Sequence, residues 1–216
     1  MQLVTWSRRD FIVASLAASC GAARAAAGGS PPVILVVGDS LSAEYGLKRG
    51  TGWVALLDQR LAKQKLAARV VNASISGDTT SGGRARLGAL LQQHKPTHVV
   101  IELGGNDALR GLPLAMTEDN LAKMTEAAQK AGARVLLVGM QVPPNYGTDY
   151  ANRFSGLFAR VAKQYKTGFV PFLLQGVADG PDPMKLFQAD RIHPREEAHP
   201  MMLDNVWPEL RKLLPK

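Results

Sequence analysis

The sequence predicts an α/β protein: a three-layer sandwich in which a five-stranded parallel sheet carries helices on both faces. Three observations lead there. Five short apolar runs are near-continuous rather than alternating, the pattern of strands covered on both faces. Longer segments with helical spacing separate them. Strand and helix then alternate along the chain, the order in which a parallel sheet is wound through crossover helices.

The elements follow in turn. Val33-Ile34-Leu35-Val36-Val37, closed by Gly38, forms the first strand over 33–38, and a helical pattern occupies 52–65. A second strand over 69–74 contains Val70-Val71-Asn72 and runs into the turn Ser76-Gly77-Asp78, with a helix over 81–93 beyond it. Val99-Val100-Ile101 centres a third strand over 98–103, ending at Gly104-Gly105-Asn106-Asp107. A helix at 117–132, a strand at 134–139, a helix at 150–165, a strand at 168–172 and a helix at 199–213 complete the alternation. The expected topology is flavodoxin-like, with no internal repeat and no linker. The least regular stretch, Leu174 to Ala189, holds Gly176, Gly180, Pro181 and Pro183 and leads directly into Asp190, as a positioning loop would.

At 216 residues the chain has the size of one ordinary domain, assigned to 30–216, and it can bury a core without staples. Residues 1–25 read as an address. Ser7-Arg8-Arg9-Asp10-Phe11-Ile12, a short apolar stretch and Ala23-Arg24-Ala25 have the order of a twin-arginine export signal, with cleavage expected between about 25 and 27. Export to the periplasm or the medium follows. Cys20, the only cysteine, falls inside that signal, so the mature chain is expected to have no disulfide, and lipidation at Cys20 is the alternative to simple cleavage.

The full chain carries a net charge of +8, and losing Arg8, Arg9 and Arg24 against Asp10 leaves +6. Its basic residues are scattered over helical segments, among them Lys63, Arg84, Arg86 and Lys123, as on a solvated face. No aromatic interleaving or nucleic-acid module accompanies them, so no nucleic-acid partner is expected, and membrane contact is at most peripheral. Other chemistries fail on spacing. Gly83 and Arg84 stand where a phosphate loop needs Lys and Ser or Thr, and the first strand-turn lacks Gly-x-Gly-x-x-Gly. His193 and His199, six residues apart, do not share a helix face, so no metal is expected, nor any other cofactor. His94 and His98 read as surface or strand-edge residues.

What remains points to a serine nucleophile. A hydroxyl attacks at neutral pH only when a base takes its proton, and the base works best when a third group orients it. Ser40, in Gly38-Asp39-Ser40-Leu41-Ser42, sits where the first strand ends, at the carboxyl edge where open α/β sheets collect ligands. Asp190 precedes His193 by three residues, so both side chains can leave one turn in the same direction. The backbone N–H groups of Ser40 and Gly77 and the Asn106 amide are then candidate donors to the oxyanion of acyl transfer. Ser42 replaces the second Gly of Gly-x-Ser-x-Gly, which excludes the α/β-hydrolase elbow.

These blocks, Gly38-Asp39-Ser40-Leu41-Ser42, Gly77, Gly104-Gly105-Asn106-Asp107 and Asp190-x-x-His193-Pro194, resemble in order and spacing the GDSL or SGNH hydrolases. The stretches 72–79, 102–111 and 145–147 are most similar to the branch of multifunctional arylesterases, acyl-CoA thioesterases and lysophospholipases, and the resemblance covers about 33–213. It implies Ser40 as nucleophile, His193 as base, Asp190 as its partner, and Gly77 and Asn106 as oxyanion donors. It further implies that Leu109, Leu112, Pro143, Asn145 and Tyr146 line an acyl groove, and the apolar, Gly-hinged composition of 108–113 suits a segment that closes over an acyl chain. The implied substrate is a small acyl ester, thioester or lysophospholipid, turned over by a monomer. Carbohydrate or peptidoglycan O-deacetylation on the same fold is the alternative, and a lipid-binding protein with a vestigial triad is the non-enzymatic one. Glu44 departs from the Gly more common in that branch, which is expected to alter the rim of the acyl site.

Overall fold

The computed structural model describes residues 31–215. The export signal assigned to 1–25, and Cys20 with it, lie outside the described residues. Five parallel strands, β1 (Val33–Gly38), β2 (Arg69–Asn72), β3 (His98–Glu102), β4 (Arg134–Val138) and β5 (Gly168–Val170), form one sheet in the order β2-β1-β3-β4-β5. The expected five-stranded α/β sandwich is therefore present. Apolar continuity tracks position in the sheet: Ile34 to Val37, Val99 to Ile101 and Val135 to Val138 in the inner strands are buried, whereas the edge strand β2 is only half covered.

Helices α1 (Trp53–Lys63) and α6 (His199–Leu213) pack together on one face. On the other, α2 (Thr80–His94), α4 (Leu114–Lys130) and α5 (Thr148–Tyr165) pack side by side, and a short α3 (Gly105–Leu109) follows β3. Trp53, Phe154 and Phe158 are the largest fully buried side chains. Each such ring or aliphatic side chain contributes about 1.5–3 kcal/mol when removed from water, so the two faces together supply the core that the sheet alone lacks. Helix ends follow local chemistry. The Thr79 side chain accepts the Gly82 N–H at the start of α2, and Lys95 closes that helix in the left-handed region just before Pro96.

Boundaries differ from expectation in one consistent way: β2, β3, β4 and β5 end one or two residues earlier than their apolar runs, because the chain leaves the ladder to turn into the loops above the sheet. The segment 105–109, expected as the tail of a strand and a loop, is the helix α3, which opens on Gly104 at φ +124. His98, expected at the surface or at a strand edge, is the first residue of β3 and is buried, its Nε2 2.9 Å from the Leu213 carbonyl and its Nδ1 2.9 Å from Thr97 Oγ1. Among the described residues no helix is long and apolar enough to cross a membrane, and no cluster of three or more His, Cys, Asp or Glu is placed to hold a metal ion.

His199 starts α6 as expected and joins the two halves of that face. It is buried, and its Nδ1 accepts the Trp53 N–H at 3.0 Å. Burial holds it down to about 4, with Glu44 and the Pro194 carbonyl pulling it back up. A histidine kept neutral in the fold but free to charge when unfolded stabilises the protein above its ordinary value of 6.5, and that stability drains as pH falls from 6.5 towards about 4. His199→Gln keeps an acceptor and a donor without the titration. The expected result is that wild type loses up to about 3 kcal/mol relative to the variant across that window, read by thermal unfolding at pH 7 and pH 4.5.

Candidate active site

In the order β2-β1-β3-β4-β5 the connection direction reverses between β1 and β3, and the carboxyl ends of those two strands carry Ser40 and Asn106. A crevice at such a reversal is where open α/β sheets bind ligands, because loops diverge there and expose the ends of neighbouring strands. The segment after Leu186 brings in the third component. Phe187 bridges Pro194 in antiparallel fashion, and the tight turn between them projects Asp190 and His193.

Ser40, His193 and Asp190 form a line of hydrogen bonds: His193 Nε2 lies 2.9 Å from Ser40 Oγ, and His193 Nδ1 lies 2.7 Å from Asp190 Oδ2. The other Asp190 oxygen accepts the N–H groups of Ile192 and His193, both at 3.0 Å. Arg191, at φ +60, makes the turn tight enough for this. Burial alone pushes Asp190 up; the His193 ring bond and the two backbone bonds outweigh it and hold the carboxyl at about 2, so it stays ionised at neutral pH. An ionised Asp on Nδ1 fixes the tautomer that leaves Nε2 free to take a proton from Ser40.

Ser40, Gly77 and Asn106, the expected donors, follow the carboxyl ends of the adjacent strands β1, β2 and β3. Among the described residues no group accepts the N–H of Ser40 or of Gly77. Gly77 has φ +78, which favours glycine, and its carbonyl accepts Arg110 Nη2 at 2.7 Å. Asn106 lies in the first turn of α3 rather than at a strand end, and its Nδ2 donates to Asp39 Oδ2 at 3.0 Å. That bond uses one of two amide hydrogens and orients the second. Asp107, fully buried, receives the Thr80 N–H at 2.9 Å and the hydroxyls of Thr80 and Thr117, which ties α3 to the start of α2.

Several residues beneath the site escaped sequence reasoning. Glu102 ends β3 fully buried; its Oε2 accepts the Ser42 hydroxyl at 2.6 Å, and Ser42 Oγ accepts Trp53 Nε1–H at 3.1 Å. The signal was a lone carboxylate closing a buried apolar strand. Gly38 leaves room for it, since a Cβ there would stand 2.7 Å from Ser42 Oγ and 2.8 Å from Glu102 Oε2. Burial, and next to it the neighbouring Asp39, raise Glu102 well above its ordinary 4.5, and burial lifts Asp39 to about 6 against the bonds from Leu41 and Asn106. Carboxyls that hold protons in the fold but lose them when unfolded cost stability as pH rises past their ordinary values. Glu102→Gln is therefore expected to raise the melting temperature at pH 8, with a smaller gain at pH 5, and to change kcat by no more than about threefold, since the acceptor to Ser42 is kept. Arg86, read as part of a solvated face, is instead a brace: it donates to Asp78 Oδ2 at 2.8 Å and to the Ala73 carbonyl, holding the loop that carries Gly77.

The groove residues divide. Leu109 is exposed and Leu112 half-buried beyond α3, whereas Pro143, Asn145 and Tyr146 follow β4 at the same edge of the sheet. Tyr146 stacks on Tyr150 at 5.8 Å, and no hydrogen bond or ring contact among the described residues joins these three to Ser40 or His193. The Glu44 carboxylate accepts the N–H groups of Gly50 and Gly52 at 2.9–3.1 Å and so braces the loop into α1. Its φ of +60 explains why glycine suits this position.

Comparison with known proteins shows the family and the fold. Residues 36–200 match the GDSL-like Lipase/Acylhydrolase family. The chain is 56% identical to Esterase TesA of Pseudomonas aeruginosa over 181 residues, 84% of this chain and 89% of that protein. It is 41% identical to Thioesterase 1/protease 1/lysophospholipase L1 of Escherichia coli K12 over 181 residues, 84% of each chain. The crystal structure of TesA superposes with a TM-score of 0.81 at 55% identity, covering 84% of this chain and 99% of that one.

Proposed function

The chain belongs to the GDSL-like lipase/acylhydrolase family, and from that premise we propose that it is an exported esterase cleaving acyl esters, thioesters and lysophospholipids through an acyl-enzyme on Ser40. The observation that carries the reading is the unbroken Ser40–His193–Asp190 line, with hydrogen bonds of 2.9 and 2.7 Å. Relatives named esterase, arylesterase, thioesterase and lysophospholipase support the substrate class.

In the reaction, Ser40 Oγ attacks the acyl carbonyl while His193 Nε2 takes its proton, and Asp190 stabilises the imidazolium that results. The carbonyl oxygen becomes an oxyanion that the N–H groups of Ser40 and Gly77 and the free Asn106 amide hydrogen receive. His193 returns the proton to the departing alcohol or thiol as the carbonyl re-forms. Water then attacks the acyl-Ser40 ester with His193 as base, releasing the carboxylic acid and restoring the serine. Because nucleophile, base, acid and donors all come from one chain, a monomer suffices. The paired Arg8 and Arg9 ahead of a short apolar stretch support export by the twin-arginine route.

Hydrolysis of p-nitrophenyl esters from acetyl to palmitoyl length tests the proposal. A maximum at medium chains, with Leu112→Ala penalising longer esters more than acetate, is expected. An acetyl-only profile would turn the reading to deacetylation, and an inert protein would leave a binding role.

A further inference from the structure

The turn that presents His193 has little core of its own: Asp190 and Arg191 are exposed, and the imidazole must meet a serine 153 positions away in the chain. The Gln188 side chain spans that gap. Gln188 Nε2 donates to the Tyr45 carbonyl, on the loop that follows Ser40, and to the Pro194 carbonyl, both at 3.0 Å. Its backbone is tied into the same turn, its N–H donating to the His193 carbonyl at 2.8 Å and its carbonyl accepting the Arg191 N–H at 3.0 Å.

The opposite loop is shaped to receive it. Gly46 has φ +70, and a Cβ there would stand 2.1 Å from Gln188 Oε1, so the amide lies against bare backbone. Tyr45, whose carbonyl the amide holds, lays its ring on His193 with centroids 4.3 Å apart and planes at 38°. Tyr45 nonetheless remains 49% exposed, so burial does not account for its place there. An aromatic face attracts a cation, so the contact strengthens as His193 takes the serine proton and becomes an imidazolium.

We propose that Gln188 and Tyr45 are positioning residues that clamp His193 onto Ser40, Gln188 by bridging the two loops and Tyr45 by covering the imidazole. The inference rests on the hydrolase reading above and adds to it what keeps the base in reach. A misplaced base loses rate without losing substrate affinity, so the clamp acts on kcat.

The test measures kcat and KM for Tyr45→Leu, Tyr45→Phe, Gln188→Ala and Gln188→Glu on acetyl, octanoyl and palmitoyl p-nitrophenyl esters, with thermal unfolding to confirm that each variant is folded. Tyr45→Leu and Gln188→Ala are expected to lower kcat by roughly tenfold at every chain length with KM nearly unchanged, and Tyr45→Phe to restore wild-type rates within about twofold. Gln188→Glu, which faces two carbonyl oxygens with a carboxylate, is expected to fall at least as far as Gln188→Ala. A Tyr45→Leu loss that appears in KM and grows with chain length would make Tyr45 a wall of the acyl groove and overturn the clamp, as would a Gln188→Ala variant of normal kcat. Ser40→Ala matching wild type would bring down the hydrolase reading itself, and the clamp with it.

Discussion

Ser40→Ala is expected to lower kcat by about five to six orders of magnitude while leaving the melting temperature within a degree or two of wild type, the scale on which removing a serine nucleophile acts. The hydroxyl contributes little to the fold. Among the described residues its one side-chain bond is to His193, and Ser40 is half-buried just past the end of β1 rather than part of the packed strand. What survives is the rate that substrate binding and the oxyanion donors support without a nucleophile, about a thousandfold or more over water. Steady-state rates on p-nitrophenyl butyrate together with a melting curve decide it; full activity in the variant would remove Ser40 from the chemistry.

The second large effect is at Asn106, where Asn106→Ala is expected to reduce kcat by about a hundredfold or more with KM nearly constant. Its amide is already held by Asp39 at 3.0 Å, so the remaining hydrogen is oriented before substrate arrives and no reorganisation is required as charge develops. The donor matters only when the carbonyl oxygen becomes an anion, which is why the loss belongs to kcat. An effect confined to KM would instead make Asn106 a residue that orients the ground-state ester.

How much of this the sequence discloses depends on how local each cause is. The inner strands are legible because burial on both faces demands unbroken aliphatic runs, and Val33–Gly38 is found with the expected bounds. Asp190 and His193 are legible because one turn holds both, whereas Ser40, which shares no local pattern with them, is marked by the turn that ends its strand. The helix α3 is not legible, since five residues opening on a positive-φ glycine give no helical period to detect. Glu102, Gln188 and His199 stay hidden for another reason: their partners lie 60, 143 and 146 residues away, and only the closed sheet brings them together. Glu44 is a different case: its partners Gly50 and Gly52 are six and eight residues on, in an irregular loop whose course no periodic spacing announces.

The central claim is that Ser40 is the residue acylated in turnover, and covalent labelling reads it directly. After reaction of the intact protein with a p-nitrophenyl alkylphosphonate, peptide mass spectrometry is predicted to find one adduct per chain, on Ser40, with its formation tracking loss of esterase activity and absent from both Ser40→Ala and His193→Ala. An adduct on any other residue, or inactivation that proceeds unchanged in Ser40→Ala, would contradict it.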